Sequence, residues 1–206
     1  MIALLDYGSG NLRSVQKALL KVGADVQLVT GPEGLKDAHA AVLPGVGAFD
    51  DCMTAMQKQK LLEGVKQFIQ TGRPFLGICV GYQALFEKSE EFNSCAAGLS
   101  LFKGKVVRFP TQPGLKVPQI GWNQIRFSKA ACPLYKGIQD GSYVYFVHSF
   151  FPRPEDPSIV ATRTGYGEEF ASSIWKENVY ATQFHPEKSQ GIGLQLLKNF
   201  VELAAA

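Results

Sequence analysis

The run Pro74-Phe75-Leu76-Gly77-Ile78-Cys79-Val80-Gly81-Tyr82-Gln83-Ala84-Leu85-Phe86 decides the reading of this chain. Its first half has the apolar text of a strand buried on both faces, and its second half reads as a helix. Between them stands G-x-C-x-G. Glycines two residues either side of Cys79 let a strand turn sharply into a helix and permit close backbone approach, which lifts the central side chain out at the C-terminal edge of a sheet, as in a nucleophile elbow. A thiol at a helix N-terminus is also expected to feel the positive end of the macrodipole, which favours the thiolate. A cysteine in apolar text can equally be a small core residue. The paired glycines and the strand-to-helix switch favour the nucleophile; Cys52, Cys95 and Cys132 lack such a context and read as ordinary packing or loop residues.

Outward from this run, the first half alternates short apolar stretches with amphipathic ones. Ile2–Leu5, Val26–Val29 and 40–43 read as strands, and 12–22 as a helix. Leu61, Leu62, Val65, Phe68 and Ile69 recur at helical spacing up to a stop at Gly72, and 74–78 is the next strand. This βαβ rhythm predicts an α/β fold with a doubly wound, mostly parallel sheet flanked by helices. From about residue 104 the text becomes strand and turn, with strands expected at 105–109, 119–127, 143–147, 159–162, 171–175 and 179–183, an additional antiparallel region in the second half. The proline-rich 151–157 reads as a loop between strands, and a last helix is expected over 191–203. The whole, 1–206, reads as a single domain with no internal repeat.

A cysteine nucleophile needs a base. His39 precedes a strand with no orienting acid and reads as a surface residue; His148 ends the strand 143–147 without an acid beside it. His185 is followed by Pro186 and Glu187. Proline pushes the preceding residue into extended conformation, and in extended chain residues two apart project to the same side, so Glu187 is placed to hold one ring nitrogen while the other faces Cys79. His-Pro-Glu alone would suit a structural turn; combined with the elbow it completes a triad. Donors for an oxyanion are expected from the backbone N–H of Val80 and from Gly45 or Val46 in the glycine-rich run Pro44-Gly45-Val46-Gly47-Ala48-Phe49, which follows a strand at the same sheet edge. The opening loop Asp6-Tyr7-Gly8-Ser9-Gly10-Asn11-Leu12 fails as a dinucleotide fingerprint because Arg13 stands where the third glycine belongs.

Composition bounds the rest. The 206 residues carry 21 Lys+Arg against 18 Asp+Glu, a formal charge of +3, with 46% hydrophobic residues. That suits one globular domain with no dense basic face for nucleic acid. There is no leader of secretory type and no apolar run of roughly 18 residues, so no membrane span and a cytoplasmic location are expected. The four cysteines show no C-x-x-C pairing or Cys/His ligand spacing, so neither a disulfide framework nor a metal is expected.

Gly77-Ile78-Cys79-Val80-Gly81 with Gln83 behind it, Pro44-Gly45-Val46-Gly47 and His185-Pro186-Glu187 together resemble the class I (triad) glutamine amidotransferases. The opening loop 6–12, Ile120-Gly121-Trp122-Asn123, Tyr145-Phe146-Val147-His148-Ser149 and the continuation Lys188-Ser189 narrow the resemblance to the glutaminase subunits of imidazole glycerol phosphate synthases, over essentially the whole chain. The resemblance implies a flavodoxin-like fold, hydrolysis of L-glutamine with no cofactor, and Cys79, His185 and Glu187 as nucleophile, base and orienting acid. It implies that Gly47, Gln83 and the Ser149 backbone hold glutamine. It also implies that the 44–47 segment reorients when the partner's ligand binds, and that Asn11, Trp122 and Lys188 face that partner, a (β/α)8-barrel cyclase receiving the ammonia. A chain of this size has no room for an acceptor domain of its own. Val80 stands where leucine is common and Phe150 where tyrosine is frequent. Rival readings are the amidotransferase partners of pyridoxal phosphate, anthranilate or aminodeoxychorismate synthesis, disfavoured by the Asp-Tyr-Gly-x-Gly-Asn-Leu opening and His-Pro-Glu-Lys-Ser, and a non-catalytic regulatory subunit, disfavoured by the intact triad.

Overall fold

The computed structural model describes residues 1–8 and 11–205; Ser9 and Gly10 of the opening loop lie outside the described residues. In chain order the elements are β1 (Ile2–Leu5), α1 (Leu12–Lys21), β2 (Val26–Val29), β3 (Ala40–Gly45), α2 (Phe49–Lys58), α3 (Leu61–Gln70), β4 (Phe75–Cys79) and α4 (Val80–Gln83). There follow β5 (Lys88–Ser89), β6 (Gly104–Arg108), β7 (Gln119–Gln124), β8 (Arg126–Phe127), β9 (Tyr143–His148) and β10 (Phe150–Pro154). The chain closes with β11 (Val160–Tyr166), β12 (Glu168–Lys176), β13 (Val179–Thr182) and α5 (Gln190–Ala205).

The main sheet runs β2-β1-β3-β4-β13-β12-β11-β8. Its first five strands pair in parallel and the last three antiparallel, so the doubly wound part and the antiparallel part share one sheet. The parallel strands β1, β3, β4 and β13 are buried along their whole length, as helices on both faces require. The flanking helices supply the covers: α1 buries Val15, Ala18 and Leu19 and turns Arg13, Lys17 and Lys21 outward, while α3 buries Leu61, Gly64, Val65 and Phe68. Gly72, at φ +79°, ends the turn after α3 as its position suggested. Beside the main sheet lie β10-β6-β5 and the two-stranded ribbon β7-β9.

Three local expectations are corrected. Pro44 and Gly45 are the last residues of β3 rather than a loop, pairing with Ile78 and Cys79 of β4, because the strand ladder continues to the elbow itself. The proline-rich segment is largely strand β10, antiparallel to β6 at the edge of its sheet, where missing N–H groups of Pro152 and Pro154 cost no ladder bond on the open side. The stretch 119–127 splits into β7 and β8, which belong to different sheets, with buried Ile125 between them.

The elbow depends on missing side chains. A Cβ on Gly81 would lie 1.9 Å from the Leu43 carbonyl oxygen of β3, and one on Gly77 would lie 2.8 Å from the Gly81 carbonyl oxygen. Gly81→Ala is therefore expected to destabilise the fold by about 3 kcal/mol or more, since a buried backbone atom cannot yield. Gly191→Ala in α5, which has open space at its Cβ, serves as the comparison and is expected to be neutral or stabilising by up to about 1 kcal/mol. Urea unfolding of both variants checks this; equal midpoints would show that the elbow does not need the close approach.

Candidate active site

Cys79 closes β4 with φ 55° and ψ −109°, a backbone conformation that a side-chain-bearing residue adopts only under constraint. The strain points its side chain away from the β4–β3 ladder into a cavity of about 350 Å³ lined by Val46, Gly47, Cys79, Val80, Gln83, Glu91, Pro118, Val147, His148, Ser149, Phe150, His185 and Lys188. The helix behind it, α4, is one turn long. The macrodipole expected from the sequence is correspondingly small, because it sums over few aligned peptides, so activation of the thiol falls on its neighbours. The N–H of Val80 still belongs to a first helical turn, where no intrahelical acceptor exists.

His185 is buried and stands in extended conformation ahead of a 3₁₀ turn, Pro186–Lys188. The expected side-by-side projection of His185 and Glu187 along extended chain is thus not the cause of their contact. The turn itself curls Glu187 back, and its Oε1 accepts from His185 Nδ1 at 2.8 Å with both side chains almost fully buried. The backbone is pinned as well: His185 N donates to Tyr145 O at 3.0 Å, and Ser189 Oγ donates to His185 O at 2.7 Å while accepting from Tyr145 N at 3.0 Å. With Nδ1 occupied, Nε2 is the ring nitrogen left for Cys79; it is buried and makes no hydrogen bond among the described residues. Burial pushes the imidazole pKa down, but the nearby Cys79 sulfur and the hydrogen bond and charge of Glu187 outweigh burial and raise it. The charged imidazolium of His185 is therefore favoured beside the Cys79 sulfur.

Asn11 does not simply face outward. It takes a left-handed conformation (φ 69°, ψ 5°) ahead of α1, and its Nδ2 donates to Glu187 Oε1 at 2.7 Å instead of capping the helix. Asparagine tolerates that conformation well, and the result is a second donor on the acid that orients His185. Trp122 and Lys188 are exposed as expected, Trp122 edge-on to Tyr145 with ring centroids 5.9 Å apart and Lys188 Nζ 6.0 Å over the same ring. Gly47 (φ +88°), Gln83 and Ser149 all line the cavity, whereas Gly45 packs under it, where a Cβ would meet Gly81 N at 2.6 Å. Gln83 is nevertheless engaged, donating Nε2 to Phe150 O at 3.0 Å and to Gln183 Oε1 at 3.3 Å. Phe150 thus contributes through its carbonyl, and the tyrosine hydroxyl absent there is not what orders the site.

Two residues at the site, one in the cavity wall and one behind the sulfur, gave no signal in the sequence. Glu91 places a carboxylate at the cavity, its Oε2 accepting from Phe49 N at 2.8 Å; burial raises its pKa, partly offset by that bond, with Asp50 and Asp51 adding repulsion. Gln183 is fully buried beside Cys79, its Nε2 3.6 Å from Sγ. His39 is exposed, Cys52 and Cys132 are buried and Cys95 is exposed, as read from their contexts. No cluster of metal-ligating side chains occurs among the described residues.

Residues 3–203 match the family model of class-I glutamine amidotransferases. The chain belongs to this family. This amidotransferase is 49% identical to the imidazole glycerol phosphate synthase subunit HisH of Syntrophotalea carbinolica, covering 98% of this chain and 100% of the relative. It is 50% identical to the HisH subunit of Aquifex aeolicus, covering 96% and 94%. A solved glutamine amidotransferase superposes with TM-score 0.77 at 19% identity over 100% of this chain and 99% of that one, and PurLQS of Thermotoga maritima with 0.75 at 20% over 99% and 96%; both bear on the fold alone.

His148, the other histidine of this amidotransferase's cavity, has different surroundings. It is buried, with Nδ1–H donating to Phe150 O at 2.8 Å and Nε2 3.0 Å from the Gln119 side-chain amide. Burial drives its pKa down to about 3, against a rise from the Phe150 bond and with a further push from His185. A histidine lowered on folding adds nothing to instability above its unfolded pKa and destabilises progressively as pH falls from about 6.5, because only the unfolded chain takes up the proton. Between about pH 7 and about pH 4.5 the wild type is expected to lose about 3 kcal/mol more than His148→Gln, measured by urea unfolding at each pH. Parallel losses would mean that His148 is not held neutral.

Proposed function

We propose that this chain is the glutaminase subunit of an imidazole glycerol phosphate synthase of histidine biosynthesis, releasing ammonia from L-glutamine for a cyclase subunit. The observation that carries the reading is the Cys79–His185–Glu187 arrangement at the mouth of a cavity sized for a small molecule, in a chain about half identical over its length to HisH subunits.

The reaction follows from the geometry. The Cys79 thiolate attacks the side-chain amide carbon of glutamine, forming a tetrahedral oxyanion that the N–H of Val80 and a donor from the Gly45–Val46 backbone stabilise. The proton held on His185 Nε2 passes to the departing nitrogen, ammonia leaves and a γ-glutamyl thioester remains. Water, deprotonated by His185, then attacks the thioester and regenerates thiolate and imidazolium, giving glutamate. Glu187, fixed by Asn11, keeps the ring in the required tautomer. Gly47, Gln83 and Ser149 shape the glutamine subsite, and Glu91 presents the negative charge that the substrate's α-ammonium seeks.

A subunit named as part of a synthase implies a partner chain. For this protein we identify it as a (β/α)8-barrel cyclase, following the resemblance of the Asn11, Trp122 and Lys188 contexts. The outer face of the β7-β9 ribbon fits a docking surface: Ile120, Trp122 and Tyr143 are 62%, 46% and 55% exposed, and Tyr145 pairs with Trp122 across the strands. No helix among the described residues is long and apolar enough to cross a membrane. Cys52, Cys79 and Cys132, which form no disulfide, fit a reducing cytoplasm, and we take 1–206 as one amidotransferase domain.

With the cyclase and its nucleotide ligand present, glutaminase turnover is expected to rise well above that of the isolated chain. Cys79→Ala should abolish glutamine-dependent synthesis and leave synthesis from ammonium salts intact; loss of both would make Cys79 structural. Trp122→Ala is expected to weaken cyclase binding about thirtyfold, the scale of a buried aromatic anchor, with an unchanged melting temperature. An equally large fall in melting temperature would place Trp122 in the fold instead.

A further inference from the structure

Gln183 follows β13, two residues ahead of His185, and lies behind the sulfur rather than in the cavity wall. It is the end of a buried chain of hydrogen bonds in which the orientation of every amide is forced. The Phe150 carbonyl can only accept, so Gln83 must turn its NH2 group toward it. The second hydrogen of that NH2 needs an acceptor, which turns the Gln183 oxygen toward Gln83 and leaves the Gln183 NH2 aimed at Cys79 Sγ, 3.6 Å away. Gln83, Gln183 and Cys79 are each at most 3% exposed, so water does not compete for these groups. The sulfur is thus met by an N–H donor on one side and by His185 on the other, an environment that accepts no S–H hydrogen from Cys79 toward Gln183 and rewards negative charge on sulfur. A helix of one turn gives little help of its own.

We propose that Gln183 is a positioning residue for the nucleophile: its N–H holds the Cys79 sulfur in the thiolate form and aims it into the cavity, with Gln83 and the Phe150 carbonyl fixing the direction of the donor. The proposal deepens the glutaminase reading and rests on it for turnover, but the reactivity of the thiol can be measured without it. Because Gln183 does not line the cavity, its removal acts first on kcat, and any change in KM for glutamine comes through Gln83, which loses its acceptor.

The test uses the full chain in a Cys95→Ser background, since Cys95 is exposed while Cys52 and Cys132 are buried. Gln183→Met keeps length and volume and removes the donor to Cys79 together with the acceptor for Gln83. Alkylation of Cys79 by iodoacetamide near neutral pH, located by peptide mass spectrometry, is expected to slow about tenfold, the loss of one charge-assisted hydrogen bond, with a matching fall in kcat in the cyclase complex. Should Gln183→Met fail to fold, Gln183→Glu keeps the shape and the acceptor for Gln83 but carries no N–H, and above the pKa of the new carboxyl it must slow alkylation at least as much. A folded variant of either kind that alkylates at the wild-type rate overturns the proposal, as does a fall in kcat that merely tracks a fall in melting temperature. Slowed alkylation in a protein whose wild type shows no glutaminase activity would uphold the role of Gln183 and overturn the functional reading instead.

Discussion

The backbone of Cys79 is the constraint on which the rest depends. Its positive φ is unfavourable for any residue with a side chain, and it persists because the surroundings leave no alternative. β4 enters in parallel register between β3 and β13, and α4 must leave at once because Gly81 is pressed against the Leu43 carbonyl. Gly77 admits the returning turn from below, and Gly45 admits it from the side. Between these three close approaches the chain can only turn at position 79, and turning there aims the sulfur into the cavity.

Around that point the polar groups form two connected sets that meet at the sulfur. On one side, Asn11 and Glu187 hold His185 from beyond the sheet edge, with the ring backbone tied to β9 through Tyr145 and Ser189. On the other, the Phe150 carbonyl orients Gln83, and Gln83 orients Gln183. His148 donates to the same carbonyl and stays neutral, a fixed part of the wall. The strands that carry these groups, β4, β13, β9 and β10, belong to three different sheets, so the site is a junction and not a feature of any one layer.

The elbow, the βαβ rhythm and the pairing of His185 with Glu187 were legible because each is written in a few consecutive residues, although a 3₁₀ turn and not extended chain brings the last pair together. Where reading failed, the cause was pairing. The strand character of Pro44 and Gly45 and of the proline-rich β10 comes from the neighbours β4 and β6, which local composition does not reveal. The helix expected after Cys79 forms but is one turn long, which leaves it little macrodipole to act on the thiol. Gln183 and Glu91 carried no signal, since a lone amide and a lone carboxylate acquire meaning only from what they touch. Asn11, which the resemblance places toward the partner, also reaches 176 positions along the chain to Glu187.

By itself the sequence determined that a cysteine would stand at a strained strand-to-helix turn and that a histidine with its own acid would end a strand, because those outcomes are governed by backbone freedom within a handful of residues. Only the tertiary structure decided that the two would meet, which way the amides around the sulfur point, and which histidine stays neutral. Those depend on strand order, register and burial, and hydrogen-bond direction and protonation are settled by groups far apart in the chain that the fold alone brings within reach.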